Sequence, residues 1–127
     1  MNRKQLTLIL MLCTSLAVVS GCAVALVGAG AGTVAYLKGS LNAVLDKDVD
    51  HVYAATLKAF DRLEISTTRK EKDALSAVVV GRTAADKKVT IKIKAAENNL
   101  TKLSIKIGVF GNRSQSQVIY DEIKKHL

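Results

Sequence analysis

The sequence of 127 residues predicts a two-layer α+β domain, in which an antiparallel sheet of about four to five strands carries two amphipathic helices on one face. Two stretches have apolar residues spaced by three and four positions, which is the period of a helix. Four consecutive stretches between them are rich in β-branched residues, mostly with alternating polarity, and short turn-like segments join them. The expected order is therefore strand, helix, four strands, helix.

The first strand and the first helix are predicted from short local patterns. An apolar stretch over residues 34–37 indicates a strand that ends near Gly39 and Ser40, with a weak continuation beyond. Either Asp46 or Asp48 then offers an N-cap for a helix of about four turns. One side of that helix is apolar, and its residues are Val49, Val52, Tyr53, Thr56, Ala59, Phe60 and Leu63.

The remaining strands are predicted at residues 65–70, 75–80, 88–94 and 102–109, with the second of these central because it is apolar on both sides. The last two strands alternate most regularly, and one side of the final strand is apolar at Leu103, Ile105, Ile107 and Val109. Ser114 or Ser116 is expected to cap the last helix, whose apolar side carries Val118, Ile119, Ile123 and Leu127.

The N-terminal residues have the order of a secretory signal peptide. Arg3 and Lys4 give a positive start, residues 6–19 are mostly apolar, and the small residues Ser20 and Gly21 follow. The apolar run is shorter than the roughly 20 residues that a transmembrane helix needs. Residues 1–21 are therefore predicted to be a signal peptide that is removed.

The end of this segment, Val19-Ser20-Gly21-Cys22, resembles the lipobox of bacterial lipoproteins. Further matching segments follow along the chain, at residues 27–39, 52–59, 70–76, 87–92 and 107–111. Together they resemble a family of small uncharacterised bacterial envelope lipoproteins with a domain of unknown function.

This resemblance implies a cellular location and one modified residue. In such lipoproteins the cysteine thiol receives a diacylglycerol and the signal peptide is cleaved just before it, so Cys22 is expected to anchor the protein to a membrane. Alanine at position 23 points to the outer membrane, facing the periplasm, where the host has one. Beyond the covalent lipid on Cys22, the family brings no cofactor, catalytic residue or assigned activity.

Residues 22–32 form a Gly/Ala-rich segment between the anchor and a single predicted domain at residues 33–127. The small residues of this segment are typical of a flexible tether. Alternatively, Gly28 and Gly32 provide a close-packing face, or the uncharged stretch from Cys22 to Leu37 lies in the bilayer interface. Gly30, Gly32 and Ala35 also satisfy a relaxed dinucleotide-binding pattern, but the strand–helix context and second half of such a fold are missing.

No pattern in the sequence indicates catalysis or a metal site. His51 and His126 are isolated and are expected to be solvated surface residues. Asp46, Asp48 and Asp50 lack the glycine and distal glutamate of a calcium loop, and a helix start explains them equally well. The chain is therefore predicted not to be an enzyme, with an accessory envelope enzyme that has an unrecognised active site as the alternative.

The strongest surface feature is a set of lysines at the polar positions of the last two predicted strands. The whole chain has a formal net charge of +8, and neighbouring like charges concentrate anions. This set is either an ordinary solvated face or a contact surface for an anionic envelope polymer, lipid headgroups or an acidic protein. Nucleic acid is not expected as a partner, and no oligomeric state is predicted. The lysines are Lys88, Lys92, Lys94, Lys102 and Lys106.

Overall fold

The computed structural model describes residues 2–5, 7 and 33–127. The proposed lipobox, Cys22 and the 22–32 segment lie outside the described residues. From residue 33 onward, six strands and two α-helices follow one another, with a short 3₁₀ turn at Glu97–Asn99. Their bounds are β1 Val34–Leu37, β2 Ser40–Leu45, α1 Val49–Arg62, β3 Ser66–Lys72, β4 Ser76–Arg82, β5 Lys88–Ala95, β6 Thr101–Ile107 and α2 Arg113–Lys125.

The six strands form one open antiparallel sheet in the order β1-β2-β6-β5-β4-β3. The predicted α+β class is confirmed, whereas the predicted count of four to five strands and the order of elements are wrong, because two strands precede α1. Lys38 and Gly39 both have positive φ, at 52° and 77°. Two such residues make a tight hairpin turn, so the chain reverses at the point where the apolar pattern predicts only the end of a strand.

Both helices pack on one face of the sheet and against each other. α1 contacts β3, β4 and β5, whereas α2 contacts β2 and β6. The core between these layers is aliphatic, with Phe60 and Tyr120 as its largest members. Alternate residues of the inner strands supply the sheet side, among them Leu41, Ala43, Ala77, Val79, Val89, Ile91, Ile93, Leu103, Ile105 and Ile107.

The start of each helix is fixed by a side-chain cap. Asp48 caps α1 and accepts a hydrogen bond from the backbone N–H of His51. Asn112, rather than either predicted serine, caps α2 through the N–H of Gln115. Within the part of the chain that the structure describes, neither helix is long and apolar enough to cross a membrane.

The buried side of α2 is rotated from the predicted one. Ser116 and Tyr120 are buried beside Ile119 and Ile123, whereas Val118 is exposed. Positions four apart lie on one side of a helix, so Ser116 and Tyr120 belong to the same buried side. Neither residue is aliphatic, and a prediction based on aliphatic residues therefore misses them.

β6 ends two residues earlier than predicted. Gly108 has φ +67°, and its N–H donates a hydrogen bond to the carbonyl of Lys88. The chain turns there, so Val109 leaves the alternating pattern and is exposed instead of buried. The predicted apolar side of this strand is wrong at that one position.

Candidate binding face

The five predicted lysines lie on the face of the sheet opposite to α1 and α2. In β5 and β6, Ile91 pairs with Ile105 on the helix side, while Lys92 pairs with Ser104 on the opposite side. Since side chains alternate along a strand, positions 88, 92, 94, 102 and 106 all project to that opposite side. We call this surface the lysine face.

The lysine face brings like charges together. Lys94 and Lys102 are directly opposite each other on neighbouring strands, and Lys92 is one alternate position along β5. Directly opposed like charges destabilise a sheet. Among the described residues, none of the five lysines lies within ion-pair distance of a carboxylate. The charge of this surface is therefore left for a partner or for solvent counterions.

The five lysines are not equally accessible. Lys88, Lys92, Lys94 and Lys102 are exposed, whereas Lys106 is half-buried. Lys106 lies between Ser40 of β2 and Thr90 of β5, in an interior strand of the sheet. Lys106 is therefore less accessible to a partner than Lys92 and Lys94.

A groove of about 400 Å³ opens on the lysine face between β1 and β5. Val44 lies in it and is buried, although neither α1 nor α2 packs on this side of the sheet. Val44 of β2 is directly opposite Lys102 of β6. Leu37 of β1 adds a second apolar side chain to the groove. Three lysines contribute to the lining, namely Lys92, Lys94 and Lys102. The groove thus combines an apolar surface with a cationic rim.

A comparison with protein-family models matches residues 5–126 to a family described as "Protein of unknown function (DUF3568)". The chain belongs to the DUF3568 family. The expected membership of an uncharacterised family is thereby confirmed over nearly the whole length. No curated protein matches this DUF3568 chain.

Two arginines on the same side of the sheet as the lysine face of this DUF3568 domain are paired with carboxylates. Arg69 of β3 pairs with Glu71 at 3.3 Å, and Arg82 of β4 pairs with Asp86 at 3.2 Å. These pairs are partly exposed and contribute little to stability. They lie toward the β3 edge of the sheet, whereas the groove is bordered by Lys92, Lys94 and Lys102, which have no ion pair among the described residues.

The predicted acidic and histidine residues have structural contacts. Asp48 caps α1, and hydrogen bonds from the N–H and then the ring of His51 hold the pKa of Asp48 below its ordinary value. Asp50 pairs with Lys72 and ties β3 to the start of α1, which raises the pKa of Lys72. Asp46 is exposed.

The second histidine lies at the other helix end. Glu122 of α2 faces Lys125 and His126, each at 3.2 Å. A hydrogen bond from Lys125 chiefly lowers the pKa of Glu122, and the nearby His126 lowers it further. His51 is an exposed surface residue, as expected, whereas the side chain of His126 is only 25% exposed. Within residues 2–5, 7 and 33–127, no cluster of three or more His, Cys, Asp or Glu residues could hold a metal ion.

Sequence reasoning locates the lysines but misses the apolar half of the groove. The apolar pattern places Leu37 at the end of a strand, and its weak continuation rests on Leu41 and Leu45 and does not single out Val44. The missed signal is the Lys38-Gly39 pair, which makes β1 and β2 a hairpin and brings Leu37 beside β2.

Proposed function

We propose that this protein is a lipid-anchored lipoprotein of the bacterial envelope with a non-catalytic role, and that its groove binds an anionic amphiphile of that envelope. The anchor rests on the signal-like N-terminus and on Cys22 in a lipobox-like sequence. The outer membrane, facing the periplasm, is the proposed location where the host has one. A domain held there would meet lipids, their precursors and their breakdown products.

The observation that carries the binding role is the groove beside unpaired lysines. Lys92, Lys94 and Lys102 border a groove that also contains Val44 and Leu37. Its volume of about 400 Å³ is within the range of small-molecule sites, roughly 300–1,000 Å³. An apolar chain fits the apolar surface, and a phosphate or carboxylate offsets the repulsion among the lysines.

An amphiphile fits this geometry better than an extended polymer. A purely charged polymer would contact the lysines but would leave Val44 and Leu37 without an apolar partner. A neutral lipid would fill the apolar surface but would leave the opposed Lys94 and Lys102 unbalanced. Only a ligand with both parts matches both halves of the groove.

Equilibrium dialysis tests this proposal with the full chain in neutral phosphatidylcholine vesicles. Hexyl phosphate should bind, whereas inorganic phosphate and hexyl glucoside, each carrying one half of the chemistry, should bind much more weakly. Replacing Lys92, Lys94 and Lys102 by glutamine should weaken hexyl phosphate binding about tenfold or more, equivalent to about 1.4 kcal/mol. Binding by the parent should also weaken with added salt.

The matched control removes the same charge elsewhere, at Lys47, Lys58 and Lys70, which are exposed and lie outside the groove. Equal weakening by both triple variants would show that only net charge matters. Binding of dextran sulfate without binding of hexyl phosphate would replace the amphiphile by an anionic polymer. Absence of binding to all these anions would leave the lysines as an ordinary solvated face.

A further inference from the structure

We propose that the loop at residues 108–111 inserts Val109 and Phe110 into the surface of an anionic phospholipid bilayer. This surface lies at the end of the strands, and none of its residues lines the groove, so the inference does not depend on what the groove binds. We call Val109 and Phe110 the apolar tip.

The apolar tip is unusually exposed for its composition. Val109 is 81% exposed and Phe110 is 93% exposed, whereas the other phenylalanine, Phe60, is completely buried. Single exposed apolar residues are common on soluble proteins, but adjacent large ones at a protruding loop expose a continuous apolar surface. Such a surface is stabilised when it leaves water.

The loop that carries the apolar tip is held in place by close backbone packing. A Cβ atom on Gly39 would lie 2.7 Å from the carbonyl oxygen of Phe110, and one on Gly111 would overlap the carbonyl oxygen of Gly39. On the other side, the N–H of Gly108 donates to the carbonyl of Lys88 at 2.8 Å. The tip is thus pinned between the β1–β2 turn and β5, so insertion requires little ordering of the loop.

Three basic residues lie in the segments that contact or follow the apolar tip. Lys38 lies in the adjoining β1–β2 turn, and Arg113 follows the loop at the start of α2. The backbone carbonyl of Lys88 accepts the hydrogen bond from the N–H of Gly108. Arg113 also lies over the ring of Tyr36, 5.9 Å from its centroid. Asp86, at the same end of the sheet, is paired with Arg82. We call Lys38, Lys88 and Arg113 the cationic collar.

The apolar tip and the cationic collar correspond to the two layers of an anionic membrane surface, the acyl chains and the charged headgroups. Phe and Val side chains enter the boundary between headgroups and acyl chains, while Lys and Arg stay at the phosphate level. Basic residues close to an anionic membrane strengthen the attraction of the protein to it. This attraction falls off with distance over about one Debye length. A protein partner would need an acidic rim around an apolar pocket, whereas the bilayer offers this arrangement everywhere on its surface.

The chain between the proposed anchor and the domain is long enough for the apolar tip to reach the membrane that holds the anchor. Thr33 precedes the four residues of β1, so it lies about 17 Å from Lys38 in the turn beside the tip. The 11 residues from 22 to 32 span up to about 36 Å when extended. An anchor at Cys22 therefore reaches the same membrane that the apolar tip would enter.

Tryptophan fluorescence tests the inference directly, because the chain contains no tryptophan. Phe110→Trp places a reporter in the apolar tip. Leu75→Trp places one at a site that is 70% exposed in the β3–β4 turn, at the opposite end of the sheet. Both full-length variants are reconstituted into vesicles with bromine-labelled acyl chains. With phosphatidylglycerol present, the tip reporter should shift to shorter wavelengths and lose most of its emission, whereas the β3–β4 reporter should keep its own.

A charge-matched pair of variants tests the collar. In the Phe110→Trp background, Lys38→Gln with Arg113→Gln should reduce quenching in anionic vesicles, and Lys47→Gln with Lys58→Gln should not. Equal quenching of the two reporters, or of neither, would overturn the inference. Quenching of the tip reporter that is the same in neutral and anionic vesicles would overturn the preference for an anionic bilayer.

Discussion

Two buried hydroxyls on α2 have no hydrogen-bond partner among the residues that the structure describes. They belong to Ser116 and Tyr120, which are four residues apart on the buried side of the helix. Burial, and then the neighbouring Asp121, raises the pKa of Tyr120, so its hydroxyl stays protonated. A buried hydroxyl without a partner loses its hydration without compensation, and this lowers the stability of the fold.

Tyr120→Phe is therefore expected to leave the free energy of unfolding unchanged or to raise it by about 1 kcal/mol. The matched control is Thr101→Val, because the buried Thr101 hydroxyl donates to the carbonyl of Lys47 at 2.6 Å. That variant should lose about 0.5–1.5 kcal/mol. Chemical denaturation of both variants measures the difference. Equal destabilisation would mean that Tyr120 has a hydrogen-bond partner after all.

Asp48 gives the domain an acid-sensitive helix start. Hydrogen bonds from His51 lower the pKa of Asp48 in the folded state. This stabilisation is fully present above the unfolded pKa of about 3.9 and is lost as the pH falls through the lower folded pKa. Asp48→Asn keeps the capping oxygen but removes the carboxylate.

Melting temperatures of the Asp48→Asn variant should therefore decline less steeply below about pH 4 than those of the parent. Asp48→Ala should flatten the same part of the profile and also lower stability at neutral pH, because the cap itself is lost. If Asp48→Asn kept the parent's acid profile, another carboxylate would be responsible for it.

At the scale of elements, Gly81 of β4 shows how α1 is seated on the sheet. A Cβ atom there would lie 2.8 Å from the Phe60 ring, the Ile65 side chain and the Ser66 carbonyl. Phe60 is completely buried, so its ring cannot move into solvent. The helix and the following turn therefore need a residue without a side chain at this point of the strand.

Gly81→Ala is expected to destabilise the domain by about 1–3 kcal/mol through overpacking. Phe60→Ala should lose about 3–5 kcal/mol by leaving a cavity. Combined, the two changes should cost less than their sum, because the methyl group added at position 81 enters the space that the ring has left. Denaturant unfolding of the four proteins in this cycle measures the coupling. Simple additivity would show that Phe60 does not restrict position 81.

The elements differ in how far their own sequence predicts them. β5 and β6 are predicted closely because polar and apolar residues alternate along them. The β1–β2 hairpin escapes prediction because one of its two turn residues is Lys38, which adopts positive φ without being glycine. The exposed edge strand β3 has no buried residues, so its bounds follow from pairing with β4 rather than from an apolar pattern.

At the scale of the whole molecule, three surfaces have separate chemistry. The helices cover one face of the sheet, the lysine face with its groove occupies the other, and the apolar tip lies at one end of the strands. The positions of the lysines follow from alternation alone. The groove and the tip depend instead on strand register and on the close contact between Gly39 and Gly111, which are far apart in the sequence and share no local pattern.

The proposed anchor and the described core come from different stretches of the sequence. Among the described residues, the buried core begins at Leu41, and the contacts between sheet and helices involve β2 and the elements after it. Cys22 precedes all of these elements and lies outside the described residues. A change at Cys22 should therefore affect lipid attachment without affecting the stability of the domain.

Cys22→Ser is expected to abolish incorporation of labelled palmitate when the full chain is produced in bacteria, because serine has no thiol to form the thioether. The thermal unfolding of the domain should match that of the parent. Cys13→Ser is the matched control, since residue 13 lies in the predicted signal peptide and should be absent from the mature protein. It should leave labelling intact. Palmitate labelling of the Cys22→Ser protein at the parent's level would reject Cys22 as the anchor.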